Sequence, residues 1–434
     1  MTSNVTVLAN GLRVVSHHMP HVETVSLGVW VASGARHEQA SEHGISHLLE
    51  HMAFKGTERR SASDIAEEIE AVGGELNAAT SLEMTAYYAR TLKGDIAVAL
   101  DILADILQIP RYREEELERE REVILQEIAA TRDSPEEIAY ELLQEAAFPG
   151  QAIGRPILGT AESVNRFRAE DLRAFLRANY GARRMVLSAA GNLDHDQLVR
   201  HAEAQFGRLN GGVGGRIESA RYVGGTRTST KPFEQSHLVM AFVGPSYREQ
   251  EFYTAQVFSG LLGGGMSSRL FQEVRERRGL CYAIYSSCWA LADTGLFGVH
   301  AATGPELMGK LIDVVGEQFQ RAAQEKPSEA ELARSKAQLK AGLLIGLESS
   351  SARAEQMARQ LLLFDRLIKT PELIERIDSV TPEATRVLAA RLVGPAQPSV
   401  VVVGAGRAGE AFARTAAERV RVNCASTSET AGGA

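Results

Sequence analysis

From Gly44 to Gly56 the chain reads Gly-Ile-Ser-His-Leu-Leu-Glu-His-Met-Ala-Phe-Lys-Gly, and His47, Glu50 and His51 are the residues in it equipped for chemistry. Two imidazoles one helical turn apart suit a tetrahedral zinc ion, and a carboxylate beside them can take a proton from an attacking water. That use requires a helix. Ile45, Leu48, Leu49 and Met52 fall at i, i+3, i+4 and i+7, the mark of a helix with one buried stripe. His47, Glu50 and His51 are then i, i+3 and i+4, so they project from one face. The order H-x-x-E-H is the reverse of the H-E-x-x-H arrangement. His43 lies four residues before His47, but Gly44 marks the helix start, so His43 reads as a cap or surface residue.

A hydrolytic zinc site needs a third protein ligand and an open position. Residues Arg113–Arg132 form a Glu-rich segment with strong helical character, whose buried stripe is Leu117, Ile124 and Ile128. Glu120 and Glu127 flank that stripe two turns apart on a shared face. Helical geometry leaves both as candidates and does not choose between them.

The elements that must position these residues belong to a long chain. Its 434 residues exceed one ordinary core, and two or more domains are expected. Asn210-Gly-Gly-Val-Gly-Gly-Arg216 is the clearest linker, which gives a zinc-binding half at 1–210, a linker at 211–216, a second half at 217–422 and a small, polar tail at 423–434 expected to be disordered. The halves read as distant copies: Val25–Gln39 lies beside Gln235–Gln250, and Glu83–Arg90 beside Ala283–Ala290. Strands arrive as hairpins followed by long helices, the first hairpin turning at Asn10-Gly11. The pattern predicts an α+β fold of two homologous halves, each a mainly antiparallel sheet packed with helices.

Charge and cysteine content narrow the function. The net charge of −8 disfavours a nucleic-acid partner, and the basic run Arg275–Arg278 has acidic neighbours and reads as a solvated helix face. Cys281, Cys288 and Cys424 show no C-x-x-C spacing, and an odd count argues for reduced thiols. No signal-peptide pattern opens the chain, and runs such as Val400–Val403 fall short of the roughly 20 apolar residues of a membrane helix. Together these predict a cytoplasmic protein without a membrane partner. The glycines at 263–265 could suggest a phosphate cradle, but no Lys-Ser/Thr follows, so a turn between helices is the better reading.

Five motifs in register give the chain a specific resemblance. They are H-x-x-E-H-x-x-F-K-G-T at His47–Thr57, G-G-x-x-N-A-x-T at Gly73–Thr80, E-x6-E at Glu120–Glu127, Ile153-Gly-Arg-Pro-Ile-Leu-Gly159, and G-G-G-M-S-S-R-L-F at Gly263–Phe271. Over nearly its whole length the chain resembles the small M16 (inverzincin) zinc metallopeptidases, the group that includes mitochondrial processing peptidase and short bacterial homologues. The resemblance implies an endopeptidase for unfolded peptides or presequence-like segments, with His47, His51 and Glu127 as zinc ligands and Glu50 as general base. Glu120 would then orient a ligating histidine.

The same resemblance places a peptide on an edge strand at Leu76–Thr80, with Asn77 and Ala78 at contacting positions and Phe54 on the wall of the pocket after the cut. In the second half, Arg275 and Tyr282 match R-x6-Y; Tyr282 would donate to the developing oxyanion and Arg275 would hold the peptide backbone. Glu137 and Glu141, 10 and 14 positions after Glu127, match two acidic residues that receive an arginine N-terminal to the cut. They are i, i+4 on a helix that Ser134-Pro135 can start, so they share a face able to grip a guanidinium. Because zinc motif and Arg/Tyr pair occur in one chain, the implied assembly is a symmetric homodimer enclosing a chamber, and the alternative is a heterodimer with an inactive homologue.

Overall fold

The computed structural model describes residues 3–212 and 217–421. The tail at 423–434, Cys424 and most of the glycine linker lie outside the described residues. The chain forms two compact units, and each contains a segment from the other half of the sequence.

The first unit comprises residues 1–130, 155–218 and 342–368. Its six strands, β1 (Ser3–Val7), β2 (Arg13–His18), β3 (Thr24–Val31), β4 (Glu75–Thr80), β5 (Thr85–Leu92) and β6 (Met185–Gly191), lie in the order β1-β2-β6-β3-β5-β4. The β1–β2 hairpin turns at Asn10-Gly11, where Gly11 has φ 93° and Asn10 Oδ1 accepts from the Leu12 amide. All pairs are antiparallel except β2 with β6. Alternation along β3 explains how the sheet is covered on both faces. Val25, Leu27, Val29 and Val31 enter the main core with Ile45, Leu48, Leu49 and Met52 of the helix Ile45–Ala53. Trp30 faces the other way, onto Ala354, Met357, Ala358 and Leu361 of the helix Ser350–Phe364. β4 is an edge strand, and its outer side is unpaired within the sheet.

The second unit comprises residues 131–154, 219–341 and 369–434. Strands β7 (Gly225–Pro232), β8 (Ser236–Gly244), β9 (Ala283–Ala290), β10 (Gly295–Thr303) and β11 (Ser399–Gly404) lie in the order β7-β11-β8-β10-β9, again with one parallel pair, β7 with β11. Without β1, the first sheet has the same order and sense. The helix Pro135–Ala147 covers one face, against β7, β8 and β11. Helices Phe252–Gly263, Met308–Gln324, Pro382–Leu392 and Gly409–Arg419 contribute to the core on the other.

The α+β class and the two homologous halves agree with the sequence reading. Val25–Gln39 and Gln235–Gln250 correspond, since β3 and β8 occupy the same place. The second correspondence needs correction. Glu83–Arg90 falls mostly in β5, whereas Ala283–Ala290 is β9, the counterpart of the edge strand β4; β5 is matched by β10. In both halves the edge strand and its neighbour form a hairpin of similar composition, so pattern alone slipped by one strand.

Candidate metal centre

The helix Ile45–Ala53 begins at Gly44, whose φ of 92° only glycine adopts without strain. A side chain there would also collide with Gly159, since a Cβ on Gly44 would lie 2.8 Å from the Gly159 Cα. Glu38 secures the helix start: its Oε2 accepts from the Gly44 amide and its Oε1 from the Ser46 amide, each at 2.8 Å. These are amides a helix N-terminus leaves without internal partners. Burial pushes the Glu38 carboxyl up to about 7, against the pull of those two amide bonds. The apolar stripe is 1% exposed or less, which fixes the opposite face of the helix and with it the direction of His47, Glu50 and His51.

The Glu-rich segment is a helix from Glu114 to Thr131, with Leu117, Ile124 and Ile128 buried as expected. It brings Glu127, and not Glu120, to the Nε2 atoms of both imidazoles. Glu127 Oε2 lies 3.6 Å from His47 Nε2 and 3.7 Å from His51 Nε2, and the three ligating atoms all fall within 4.8 Å of one another. Adjacent ligand atoms around a tetrahedral zinc with bonds of about 2.0–2.1 Å stand about 3.3–3.4 Å apart. The two distances from Glu127 therefore need to contract by only a few tenths of an ångström. Glu127 Oε2 is buried and has no hydrogen-bond donor, the state of a ligand atom rather than of a structural carboxylate. Glu120, 6% exposed, is occupied otherwise: Oε2 accepts from His51 Nδ1 at 2.9 Å and Oε1 from Lys55 Nζ at 2.6 Å. With Nδ1 so engaged, His51 presents Nε2 to the centre.

Electrostatics suit a metal and a base. Burial, then the neighbouring His51, lowers the pKa of His47 to about 4, so its ring is neutral and able to ligate at neutral pH. Burial raises the Glu50 carboxyl above its ordinary range, with Glu127 adding to the rise and Thr80 and His51 opposing it. Its Oε2 has no hydrogen-bond partner. A desolvated carboxylate with a free oxygen beside the ligands is suited to accept a proton.

The other expected residues are placed as follows. Phe54 caps the end of the ligand helix and packs, partly buried, on the core. On β4, Ala78 is 8% exposed and belongs to the core face, whereas Asn77 is exposed, its Oδ1 bonding the Ala78 amide. A cleft of about 610 Å³ runs beside β4 and β5, with Trp30, Asn77, Ala79, Tyr88, Ser351 and Arg359 among its lining. In the second unit the Arg275 guanidinium lies 4.8 Å from the centre of the Tyr282 ring and 4.7 Å from that of Phe271. Tyr282 is 77% exposed, so it is not a core residue. Glu137 and Glu141 lie on the helix Pro135–Ala147, whose cap Ser134 accepts from the Glu137 amide. Burial, and then repulsion from Glu137, raises the Glu141 carboxyl.

Sequence reasoning assigned no role to Glu38, Lys55 or Thr80. Lys55 stood inside the F-K-G-T motif, so a signal for it existed. Glu38 meets its helix across the intervening turn Ala40–Glu42, and no helical or strand spacing points to it.

Comparisons with known proteins agree with this geometry. The insulinase (peptidase family M16) domain matches residues 13–161, and the M16 inactive domain matches residues 166–339. A protein of Rickettsia felis described as an uncharacterized zinc protease is 39% identical over 378 residues, covering 87% of this chain and 92% of its own. A second, from Streptomyces coelicolor and described in the same way, is 37% identical, with 92% and 89% covered. Among solved structures, a Helicobacter pylori protease shares the fold with a TM-score of 0.86 at 22% identity, over 93% of this chain and 99% of that one. A Pseudomonas fluorescens structure described as a peptidase M16 inactive domain gives 0.85 at 20%, over 93% and 98%. No described helix is long and apolar enough to cross a membrane. With two family domains covering most of its length and relatives described as zinc proteases, the chain belongs to the M16 family of zinc peptidases.

Proposed function

We propose that the protein is an endopeptidase that cleaves unfolded peptides or presequence-like segments, with His47, His51 and Glu127 holding zinc and Glu50 acting as general base. The convergence of Nε2, Nε2 and Oε2 within 4.8 Å, beside the unpartnered Glu50 oxygen, carries the proposal. The zinc supplies a Lewis acid that acidifies water and polarises a peptide carbonyl. Glu50 takes the proton of the attacking water and returns it to the leaving amine. Glu120 keeps His51 in the tautomer that leaves Nε2 free.

Substrate is held by its backbone. A peptide adds to the free edge of β4, where main-chain pairing tolerates many sequences, and folded domains are excluded because they present no free strand. Asn77 and Ala78 make those contacts, and Phe54 receives the side chain after the cut. Tyr282 donates its exposed hydroxyl to the developing oxyanion, and Arg275, stacked on it, holds the peptide backbone. Glu137 and Glu141 grip an Arg or Lys N-terminal to the scissile bond; the Glu141 carboxyl, raised by burial and then by Glu137, supports this, because a substrate cation would relieve the repulsion between the two.

Assembly is proposed as a homodimer, the alternative being a heterodimer with an inactive homologue, and location as cytoplasmic, in keeping with the free thiols Cys281 and Cys288. One preparation tests the function: zinc content, native mass, and cleavage of a quenched flexible peptide against a stable folded protein. One zinc per chain with cleavage of the peptide alone is expected. Efficient digestion of the folded protein would overturn the substrate assignment.

A further inference from the structure

We propose that Lys55 is a positioning residue for the metal centre, acting on His51 through Glu120. The inference rests on the ligand assignment proposed above. Lys55 lies four residues past His51, just beyond the helix end at Phe54, where its amide bonds the Met52 carbonyl. Its ammonium reaches Glu120 Oε1 at 2.6 Å, while Oε2 of the same carboxylate accepts from His51 Nδ1 at 2.9 Å. Each oxygen has one partner. The last torsion of a glutamate is broad and weakly held by its own rotamer preference, so a carboxylate gripped at one oxygen only can rotate away from the other partner. Gripped at both, it sets the plane in which the His51 ring must lie.

Burial makes this grip count. The Glu120 side chain is 8% exposed and that of Lys55 31%, so the pair lies at the margin of the interior, where an ion pair is less weakened by water than on the open surface. The other imidazole offers a contrast. His47 Nδ1 is buried and has no hydrogen-bond partner, so no outer group orients that ring through Nδ1. The centre therefore has one ligand secured by a chain of three charged or polar groups, Lys55 to Glu120 to His51, and one that is not. Loss of Lys55 releases the secured ligand.

A merely structural Lys55, pinning the Phe54–Thr57 turn to the helix Glu114–Thr131, would lower the stability of the zinc-free protein and leave metal affinity alone. The test therefore measures zinc Kd by competition with a chromophoric chelator, alongside the Tm of the zinc-free chain and the visible spectrum of its cobalt form. Full-length parent, Lys55→Met, Lys55→Arg, Glu120→Gln, Lys55→Met/Glu120→Gln and His51→Ala proteins are compared. Removing an outer partner of a ligating histidine weakens metal binding about 10- to 100-fold. Lys55→Met is expected at the lower end of that range, with a shifted cobalt spectrum, and Lys55→Arg recovers most of the affinity. Because Lys55 acts through Glu120, the double variant should bind zinc no more weakly than Glu120→Gln alone. Losses that add in the double variant would overturn the relay, and so would a Lys55→Met Kd within about twofold of the parent. Should Lys55→Met not fold, Lys55→Gln carries the same comparison. His51→Ala separates the two readings: if it too binds zinc like the parent, the ligand assignment fails, whereas if it alone loses zinc, only the role of Lys55 fails.

Discussion

The two units share a strand order, and each brings a pair of histidines together, but the pairs differ in their surroundings. In the first unit His47 and His51 leave the helix that follows β3 and turn their Nε2 atoms toward Glu127 Oε2, an oxygen with no donor. The helix in the matching place after β8, Phe252–Gly263, has no histidine and no acidic residue. The second unit keeps its histidines in the sheet. His237 Nδ1 and His300 Nε2 lie 3.1 Å apart, Tyr140 stacks on His300, and the nearby carboxylate of Glu136 accepts from Tyr285 at 2.6 Å. Burial lowers the pKa of His300, like that of His47, to about 4. One imidazole held neutral by burial, His47 in the first and His300 in the second, is thus common to both units. What distinguishes the metal centre is a carboxylate whose oxygen is aimed at both rings and engaged by nothing else, and among the described residues only His47, His51 and Glu127 meet that condition.

The largest expected effect breaks the comparison at Glu50, which has no counterpart in the His237–His300 cluster. Glu50→Gln removes the proton acceptor and leaves the three ligands, so turnover should fall about 10²–10⁴-fold while zinc content stays near that of the parent. His300→Gln, by contrast, should change neither zinc content nor kcat beyond the effect of any lost stability. Glu127→Gln, which alters a ligand, should weaken zinc binding, and equal zinc loss in Glu50→Gln and Glu127→Gln would contradict the division of roles between them.

Next in size is the effect expected of the role proposed for Tyr282. Tyr282→Phe keeps the ring over which Arg275 lies and deletes only the exposed hydroxyl. A drop in kcat of about 10²-fold with unchanged zinc content is expected from the loss of one oxyanion donor. An unaltered kcat would leave Tyr282 as a surface side chain. Smaller still is a change in selectivity. Replacing Glu137 and Glu141 with Gln should lower kcat/KM for peptides with Arg or Lys before the cut more than for neutral peptides. Equal loss for both classes would leave Glu137 as a first-turn acid that complements its own helix N-terminus and Glu141 as a partly buried acid without a substrate role.

Much of this was legible in the sequence wherever a period carried the information. The stripe Ile45, Leu48, Leu49, Met52 gave both the helix and the face of its ligands, and Leu117, Ile124, Ile128 did so for the second helix. The choice between Glu120 and Glu127 was not legible from spacing, because the two are equivalent until the partner helix is in place; the deciding contacts, to Lys55 and to the two Nε2 atoms, cross between elements. Glu38 escaped for a similar reason, since it caps a helix from beyond the short turn Ala40–Glu42. The exchange of the helices Pro135–Ala147 and Ser350–Phe364 between compact units was illegible as well. Each has the apolar stripe of a surface helix, and a stripe does not say which sheet it will cover.

The smallest expected effect concerns pH and the feature both units share. A histidine held near 4 when folded and near 6.5 when unfolded binds fewer protons in the native state. Its contribution to stability is present above the unfolded value and is lost as pH falls from about 6.5 toward 4. Glu38 works in the opposite sense: raised to about 7 from an ordinary 4.5, it stabilises the fold at low pH and loses that contribution as pH rises through about 7. The net slope of the zinc-free protein mixes these signs, so the informative quantity is a difference between variants. His300→Gln should flatten the fall in stability on acidification, measured as urea midpoints of zinc-free protein at about pH 7 and about pH 5. Glu38→Gln should steepen it. Added zinc should raise the midpoint of the parent and the His300 variant alike at about pH 7, because the metal binds the other unit, and less at about pH 5, where protons compete for His47 and His51. Midpoints of parent and His300→Gln that run parallel across the window would mean that His300 is not held neutral by burial, and the likeness between the two histidine pairs would end at their geometry.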